Sequence, residues 1–246
     1  KLYGIENLVN KFKKALSIFC SYRQIKGLFI GVFSTIERIP ILRLVKPINV
    51  IIDIGANKGQ FSLAAKYVFP KAYIMSFEPL SIPANKFNQL FKNDENVILH
   101  QTAIGPEKQI LPMHVSKKAD SSSILPIGKN QASNFPGTEE SHIEKITIAP
   151  LSKFIKYDDL KAPVFVKIDV QGYELETLKG CEEFLEYFTY IYVECSFIEL
   201  YEGQALVDEV IEYLSDYSFK LNGVYNINNN EDGIAIQGDF LFIKKK

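Results

Sequence analysis

A short apolar strand that runs directly into a glycine-containing turn is the feature that most constrains the fold of this chain. Residues 49–54 read Asn-Val-Ile-Ile-Asp-Ile, a β-branched run that is typical of a strand buried on both faces. The turn Gly55-Ala-Asn-Lys-Gly59 ends this run, and an apolar pattern at helical spacing follows to about Phe69. Such strands occur almost only in parallel sheets that helices cover on both faces. The sequence therefore predicts an α/β fold.

Strand and helix continue to alternate along the chain. Further strands are predicted at 72–77, 97–102, 164–169 and 190–194, and helices at 83–91, 151–157, 174–187 and 205–215. Two antiparallel pairs are predicted as well, 110–115 with 143–148, and 219–225 with 234–243 at the end of the chain. The polar residues 120–141 lie between the first pair, and we expect this long loop to be a mobile binding element or a lid.

The N-terminal region is strongly basic, although the net charge of the whole chain is close to zero. The chain has 28 Lys+Arg and 29 Asp+Glu, a formal net charge of −1, yet residues 1–46 hold nine basic residues against two acidic ones, a net charge of +7. Two apolar stripes at helical spacing, Ile5 to Phe19 and Ile25 to Ile36, predict two amphipathic helices there. We expect residues 1–47 to form a basic helical extension of the main domain, 48–246. This extension either packs as a cap or contacts an anionic membrane or another anionic partner.

Several classes of protein do not fit this sequence. A near-zero net charge argues against a general nucleic-acid binder. The three widely spaced cysteines form no CxxC pair and predict neither a zinc site nor a disulfide framework. The apolar stretch 27–36 is too short to span a bilayer. We therefore expect a cytoplasmic protein, membrane-associated at most through its basic extension, while the oligomeric state is left open.

Acidic and glycine residues mark the predicted carboxyl ends of the parallel strands, where ligands bind in open α/β sheets. Asp53 and the turn after it place glycines and a helix N-terminus together, which suits a close backbone approach to an anionic group. An acid at this point would repel a phosphate. The combination favours a zwitterion, and S-adenosylmethionine is such a ligand.

Glu78 ends the second strand, 25 residues after Asp53, and Pro79 fixes the exit of the chain. A carboxylate at this place can accept the hydroxyl groups of an adenosine ribose. The spacing is common to dinucleotide folds and adenosylmethionine folds, so it supports a nucleoside without choosing between them.

Asp169 ends the fourth strand within Lys167-Ile-Asp-Val-Gln-Gly-Tyr-Glu174. Four roles stay open for it: general base, ligand of a donor ammonium group, ligand of Mg²⁺ together with Glu194, or cap of the following helix. The Mg²⁺ signal is weak. His142, at the end of the polar loop, is a second candidate base if that loop folds over the site.

These motifs together resemble the FkbM family of S-adenosylmethionine-dependent methyltransferases. The resemblance rests on Asp53-Ile-Gly-Ala-Asn-Lys-Gly59 with Ser62, Phe77-Glu-Pro79, Ser122-Ser123, Lys167 to Glu174, and Leu178-Lys-Gly180. It implies a Rossmann-like, seven-stranded class I methyltransferase sheet and, usually, methylation of a hydroxyl on a sugar, glycan or secondary metabolite. One place departs from the family pattern: Leu151-Ser152 stands where the family often has Leu-Asp, and Ser152 can still cap a helix.

The resemblance also assigns residues. It implies that Asp53, Gly55, Asn57 and Gly59 hold the methionine part of the cofactor, that Glu78 holds the ribose, and that Asp169 faces the transfer site. The full candidate cofactor-binding set is Asp53, Gly55, Ala56, Asn57, Gly59, Phe61, Ser62, Glu78, Pro79, Thr102, Ala103, Ser122 and Asp169. The candidate catalytic residues are Asp169, His142 and Glu194.

The sequence thus predicts an O-methyltransferase with S-adenosylmethionine as cofactor and a small molecule, glycan or glycolipid as acceptor. A nucleotide-dependent oxidoreductase is one alternative, although the turn lacks the GxGxxG pattern. A non-catalytic module that binds the cofactor and recruits a partner through the basic extension is another.

Overall fold

A computed structural model of the chain describes residues 22–245. The first of the two predicted N-terminal helices, 5–19, lies outside these residues. The α-helices are α1 (Tyr22–Ile30), α2 (Ile39–Leu42), α3 (Gln60–Val68), α4 (Ser81–Phe91), α5 (Lys129–Asn134), α6 (Glu174–Gly180) and α7 (Val207–Asp216). Short 3-10 helices cover Ile36–Arg38, Ala119–Ser121, Leu151–Lys153, Tyr157–Asp159 and Glu182–Tyr187. The strands are β1 (Val50–Ile54), β2 (Tyr73–Phe77), β3 (Val97–His100), β4 (Ala103–Ile104), β5 (Gln109–Ser116), β6 (Glu140–Ala149), β7 (Val164–Ile168), β8 (Tyr190–Ser196), β9 (Phe219–Asn229) and β10 (Ala235–Lys244).

The main sheet has seven strands in the order β3-β2-β1-β7-β8-β10-β9. The five strands from β3 to β8 are mutually parallel, and β10 pairs antiparallel with both β8 and β9. The expected α/β class I sheet with its C-terminal antiparallel hairpin is therefore confirmed. The chain moves outward from β1 in one direction and then returns to build β7 and β8 on the other side. This reversal opens a crevice at the carboxyl ends of β1 and β7.

A second, three-stranded sheet has the order β4-β6-β5. The predicted hairpin-like pair corresponds to β5 and β6, which pair antiparallel. The intervening residues are not one structureless loop as predicted, because they contain the 3-10 turn Ala119–Ser121 and helix α5. Three other predicted elements are shorter than expected: the third strand ends at His100, the helix predicted over 151–157 is the 3-10 turn Leu151–Lys153, and the helix predicted over 174–187 is α6 followed by a 3-10 helix.

Apolar strands at the centre of the sheet form the core. Every residue of β1 and of β7 is buried, as expected for strands covered on both faces. On one face, Ile39, Ile41 and Leu42 pack in the same cluster as Phe61 and Phe165. The second half of the N-terminal extension is thus part of the core of the domain, as well as a link to the residues before it.

Helix α1 differs from its prediction in length and in orientation. The apolar stripe predicted a helix as far as Ile36, but the helix ends at Ile30, because Gly31 takes a left-handed conformation with φ of 72°. The amide of Val32 donates to the Gly27 carbonyl at 2.8 Å, and the amide of Gly31 donates to the Leu28 carbonyl at 3.2 Å. This pair of hydrogen bonds is a Schellman motif, which terminates helices at glycine.

The buried side of α1 carries Gln24 and Gly27, whereas four of its large apolar residues are exposed: Tyr22, Ile25, Leu28 and Phe29. Tyr22 is 76% exposed and Phe29 is 87% exposed, and Phe33 beyond the helix is 66% exposed. A β-carbon at Gly27 would lie 2.7 Å from the Val32 carbonyl oxygen, so the helix packs closely through this glycine. Among residues 22–245, the helices are all too short or too polar to cross a membrane.

Candidate functional site

A cleft of about 370 Å³ lies at the carboxyl ends of the parallel strands, where the strand order reverses. Its floor comes from the exits of β1, β2, β7 and β8, including Gly55, Glu78, Asp169 and Glu194. One wall comes from residues between β5 and β6, and Thr35 and Arg38 of the N-terminal extension line another part. The predicted convergence of strand ends is therefore observed.

Gly55 packs the first turn against two neighbouring strand exits. Its φ is 75°, and a β-carbon there would lie 1.9 Å from the carbonyl oxygen of Asp169. The amides of Gly55 and Ala56 both donate to the Phe77 carbonyl at 3.0 Å. Asn57, with φ of 48°, continues the turn in a left-handed conformation. Backbone rather than side chain therefore forms this edge of the cleft.

Asp53 lies beneath the turn and does not reach the cleft. It is fully buried, its Oδ2 accepts a hydrogen bond from the Ser62 hydroxyl at 2.7 Å, and the Lys167 Nζ lies 3.2 Å from its Oδ1. The same ammonium donates to the Gly55 carbonyl at 2.6 Å. The prediction placed this acid against a cationic part of the ligand, whereas in the structure its charged partner is Lys167. Asp53 instead anchors Lys167 under the turn.

Glu78 faces the cleft with its carboxylate held by backbone amides. Its Oε2 accepts the Asn57 N–H at 2.9 Å, and its Oε1 accepts the Leu80 N–H at 2.8 Å. Burial raises the pKa of Glu78 to about 7, against the opposing effect of these two amides. Each carboxylate oxygen keeps a further lone pair for a hydroxyl group of a ligand.

Asp169 belongs to a cluster of three carboxylates around one guanidinium. The Nη2 of Arg38 lies 3.0 Å from Asp169 Oδ2, 3.4 Å from Asp239 Oδ1 and 3.8 Å from Glu194 Oε1. The Gln171 amide bridges two of these acids, since its Nε2 lies 2.8 Å from both Asp169 Oδ1 and Glu194 Oε2. The carboxylates come from the exit of β7, from β8 and from β10.

Two acids of this cluster have pKa values that are shifted in opposite directions. Burial raises the pKa of Asp169, but Lys167 and Arg38 outweigh burial and leave this pKa lowered. Burial, together with Asp169 and Asp239, raises the pKa of Glu194 well above its usual range. Of Asp169 and Glu194, Asp169 is therefore the acid that is ionised at neutral pH.

The residues between β5 and β6 bring a polar group with no protein partner to the cleft. Gln131 on α5 is 3% exposed and lines the cleft, and its Oε1 has no hydrogen-bond partner among residues 22–245. Thr35 of the N-terminal extension also lines the cleft, and its hydroxyl has no hydrogen-bond partner within the described part of the chain. Buried polar atoms without partners are costly, so these two indicate where a polar ligand binds.

The predicted site residues divide into those on the cleft and those behind it. On the cleft are Gly55, Ala56, Asn57, Phe61, Glu78, Pro79, Ala103, Ser122, Asp169 and Glu194. Asp53, Gly59, Ser62 and Thr102 do not line it; Gly59 precedes α3, and the Thr102 hydroxyl donates to the carbonyl of Thr147 at 3.0 Å. These four support the site from behind.

Two predicted roles do not fit the structure. His142 does not line the cleft: it lies on the exposed part of β6, with its ring 3.0 Å from the Glu144 carboxylate, because the loop that precedes it does not fold this residue inward. The role of Asp169 as a helix cap is also excluded by its partners. The Glu174 carboxylate instead accepts the Val170 and Gly172 amides, at 3.2 and 3.0 Å.

Several cleft residues were absent from the predicted set, among them Arg38, Gln171 and Gln131. Gln171 was visible in the motif after β7, and Gln131 lay in the polar loop that was expected to bind a ligand. Arg38 carried no local signal, because only the packing of Ile39 and Leu42 into the core brings it to the cleft.

The residues of the cleft fit S-adenosylmethionine but not a metal. The Gly55–Asn57 turn lines the cleft, and Glu78 beside it offers a carboxylate for the ribose hydroxyls. Within residues 22–245 no group of three His, Cys, Asp or Glu side chains is placed to hold a metal ion. The cation between Asp169 and Glu194 is Arg38, so the Mg²⁺ prediction has no support.

Two named relatives are similar to this chain in sequence, and one solved structure is similar to it in fold. A relative from Sinorhizobium fredii, named 2-O-methyltransferase NoeI, is 27% identical over 180 residues, which cover 71% of this chain and 74% of the relative. Methyltransferase 1 of Beauveria bassiana is 28% identical over 145 residues, 54% of this chain and 58% of that protein. Among solved structures, the precorrin-6y C5,15-methyltransferase of Geobacter metallireducens aligns over 84% of this chain and 85% of its own, with 14% identity and a TM-score of 0.45.

The family model described as the methyltransferase FkbM domain matches residues 53–221. This range includes the glycine turn after β1, Glu78, the residues between β5 and β6, and both Asp169 and Glu194. The earlier resemblance is therefore confirmed over most of the chain, and the protein belongs to the FkbM family of S-adenosylmethionine-dependent methyltransferases.

Proposed function

We propose that the protein methylates a hydroxyl group on a sugar, glycan, glycolipid or secondary metabolite. The observation that supports this proposal is Asp169, an ionised and partly exposed carboxylate at the cleft end of β7. A hydroxyl acceptor must lose its proton during transfer, and a carboxylate at the cleft can accept it. The printed name of the Sinorhizobium fredii relative, a 2-O-methyltransferase, agrees with transfer to oxygen.

Different residues of the cleft would have different roles in this reaction. When bound, S-adenosylmethionine supplies an electrophilic methyl group on a positively charged sulfur. Glu78 would accept the ribose hydroxyls, and the backbone of the Gly55–Asn57 turn would hold the methionine part. Asp169 accepts a hydrogen bond from the acceptor hydroxyl and takes its proton as the oxygen–carbon bond forms and the sulfur–carbon bond breaks. Positioning of the two reactants supplies most of the acceleration.

Calorimetry with S-adenosylhomocysteine tests the cofactor part of the proposal. We expect saturable binding to the folded protein, because Glu78, Ala56 and Asn57 are already in place at the cleft. A titration with a reduced nicotinamide cofactor, followed by fluorescence, separates the proposal from the oxidoreductase alternative. Binding of the nicotinamide without binding of S-adenosylhomocysteine at millimolar concentration contradicts the proposal.

Transfer of a labelled methyl group from S-adenosylmethionine into a cell extract tests the acceptor class. Label in glycan, glycolipid or small-molecule fractions that resists mild base, as an ether does and an ester does not, supports methylation of a hydroxyl. Asp169→Asn should remove this transfer and leave the binding of S-adenosylhomocysteine within about threefold. Binding without any transfer would favour the non-catalytic module.

We further propose that the N-terminal extension, 1–46, contacts an anionic membrane surface. Its net charge is +7, and the structure leaves Tyr22, Phe29 and Phe33 exposed beside this charge. Aromatic side chains beside basic residues suit the interface between lipid headgroups and acyl chains. The acceptor class proposed above includes glycolipids, which are present at the same interface.

A further inference from the structure

Arg38 connects the N-terminal extension to the transfer site. Its side chain is only 11% exposed, and one of its nitrogens contacts carboxylates from three different strands or strand exits. The segment that carries it is fixed by the burial of Ile39, Ile41 and Leu42 in the core. The position of Arg38 is therefore fixed twice: core packing fixes its backbone, and three carboxylates fix its guanidinium.

Resting on the proposed function, we propose that Arg38 is a positioning residue for methyl transfer: its guanidinium holds the Asp169 carboxylate at the cleft in the orientation that accepts the acceptor hydroxyl. The shortest of its three carboxylate contacts is the one to Asp169, 3.0 Å. Gln171 holds the other carboxylate oxygen at 2.8 Å, so the two residues together fix both oxygens of Asp169.

The charges that face Asp169 explain why Arg38 matters for it. Lys167 is the other nearby cation, but it lies 4.0 Å from Asp169 and 3.2 Å from Asp53, so its charge is shared. Asp239 adds negative charge from β10, and Glu194 on β8 adds more in its ionised form. Without Arg38, the acids of this cluster would repel one another, and Asp169 would hold a proton at a higher pH.

The other partners of the cluster do not replace Arg38. Asp239 accepts hydrogen bonds from the Tyr192 hydroxyl at 2.6 Å and from the Asn226 amide at 2.8 Å, which stabilise Asp239 and not Asp169. Glu194 accepts the Gln171 amide, and Tyr201 donates to the Oε1 of Gln171 at 2.7 Å. These groups are neutral, so the positive charge that compensates Asp169 comes from Lys167 and from Arg38, and only Arg38 also contacts Asp239 and Glu194.

The first readout is the titration of Asp169 itself, which needs no acceptor. Protein labelled with ¹³C at the aspartate carboxyls is titrated by NMR, and the Asp169 signal is identified by its absence in Asp169→Asn. We expect Arg38→Gln to raise the pKa of Asp169 by about one unit or more, and Arg38→Lys to raise it less. Arg43→Gln is the matched control: it also removes one arginine charge, from an exposed residue that faces the Tyr67 ring.

The second readout is methyl transfer into the extract fraction that the wild type labels. Arg38→Gln should lower the rate at pH 7 by about tenfold or more, because the Asp169 carboxylate is no longer held in the orientation that accepts the hydroxyl, and Arg38→Lys should restore part of the rate. The acid limb of the pH profile should also move to higher pH, together with the pKa of Asp169. Binding of S-adenosylhomocysteine should stay within about threefold, which also shows that the variant folds. If Arg38→Gln does not fold, Arg38→Lys carries the comparison, since it keeps the charge and loses the shared contacts.

An unchanged Asp169 titration in a folded Arg38 variant overturns the proposal. So does a rate that falls without any shift of the pH profile and without recovery in Arg38→Lys, since that result describes a purely structural residue. Failure of the wild type to bind S-adenosylhomocysteine would instead contradict the proposed function. The NMR titration would still judge the role of Arg38 in that case.

Discussion

At the scale of single residues, the protonation of Glu78 should make the affinity for the cofactor depend on pH. Its pKa is raised to about 7 by burial, so the carboxyl is largely protonated at pH 6 and largely ionised at pH 8. Ribose hydroxyls donate hydrogen bonds to the ionised form. The affinity for S-adenosylhomocysteine should therefore rise about tenfold from pH 6 to pH 8, with release of a proton on binding.

Calorimetry at the two pH values measures this change. Glu78→Gln should weaken binding at pH 8 by more than tenfold and remove most of the pH dependence, since its amide does not titrate. Glu174 also has a pKa of about 7, but it does not line the cleft, so Glu174→Gln should keep the pH dependence. A Glu78→Gln variant with the wild-type slope would assign the effect to another group.

Residue types at the strand ends predicted that acids would gather near the cleft, but not which of them would reach it. Asp53, Glu78 and Asp169 were selected by the same argument, an acid at a strand end, yet only Glu78 and Asp169 reach the cleft. Asp53 is instead paired with Lys167, which comes from a neighbouring strand. Since such a pairing depends on strand order, the residues around Asp53 in sequence contain no sign of it.

At the scale of elements, the turn between β1 and α3 depends on the close approach of two strand exits. Gly55 and Gly31 both have positive φ, but a β-carbon at Gly55 would lie 1.9 Å from the Asp169 carbonyl oxygen, whereas at Gly31 nothing lies within 4 Å. Gly31→Ala should therefore show only the backbone cost, about 1 kcal/mol. Gly55→Ala should cost about 2 kcal/mol more, because the turn and the exit of β7 must separate.

Unfolding in denaturant measures both costs, and calorimetry with S-adenosylhomocysteine measures their effect on the site. Gly55→Ala should also weaken binding, since it displaces the backbone that lines the cleft, whereas Gly31→Ala should leave binding unchanged. Equal destabilisation by the two substitutions would show that left-handed strain, and not the contact with Asp169, sets the requirement for glycine.

The elements that the sequence predicted well are those with strong local signals. The fully buried strands β1 and β7 were predicted almost to the residue. Helix α1 was predicted too long, although Gly31 was a visible stop signal, because the apolar stripe continued past it. Helix α5 was missed, since its six residues, Lys-Asn-Gln-Ala-Ser-Asn, carry no apolar stripe.

At the scale of the whole molecule, charge is divided between two regions. The basic extension carries +7 and the remainder of the chain −8. The structure adds that Arg38 uses one of these basic charges at the cleft, where it pairs with Asp169, and that Arg23 lies 2.9 Å from Asp94 near α4. The extension therefore takes part in the main domain as well as providing a surface.

That surface leads to a prediction about membranes. Vesicles that contain phosphatidylglycerol should bind the full chain at low salt, and binding should weaken as salt rises, because basic residues attract the anionic headgroups. Phe29→Ser with Phe33→Ser should lower the affinity about tenfold or more, since two exposed aromatic side chains no longer insert between the lipids.

Ile234→Ser provides the control for this experiment, because it removes a side chain that is 59% exposed on the opposite, C-terminal part of the sequence. Co-sedimentation of the three proteins with anionic and with neutral vesicles gives the comparison. Equal binding by the double variant and the control would show that the exposed aromatics do not contact lipid. If the full chain fails to bind anionic vesicles even at low salt, the membrane proposal is wrong.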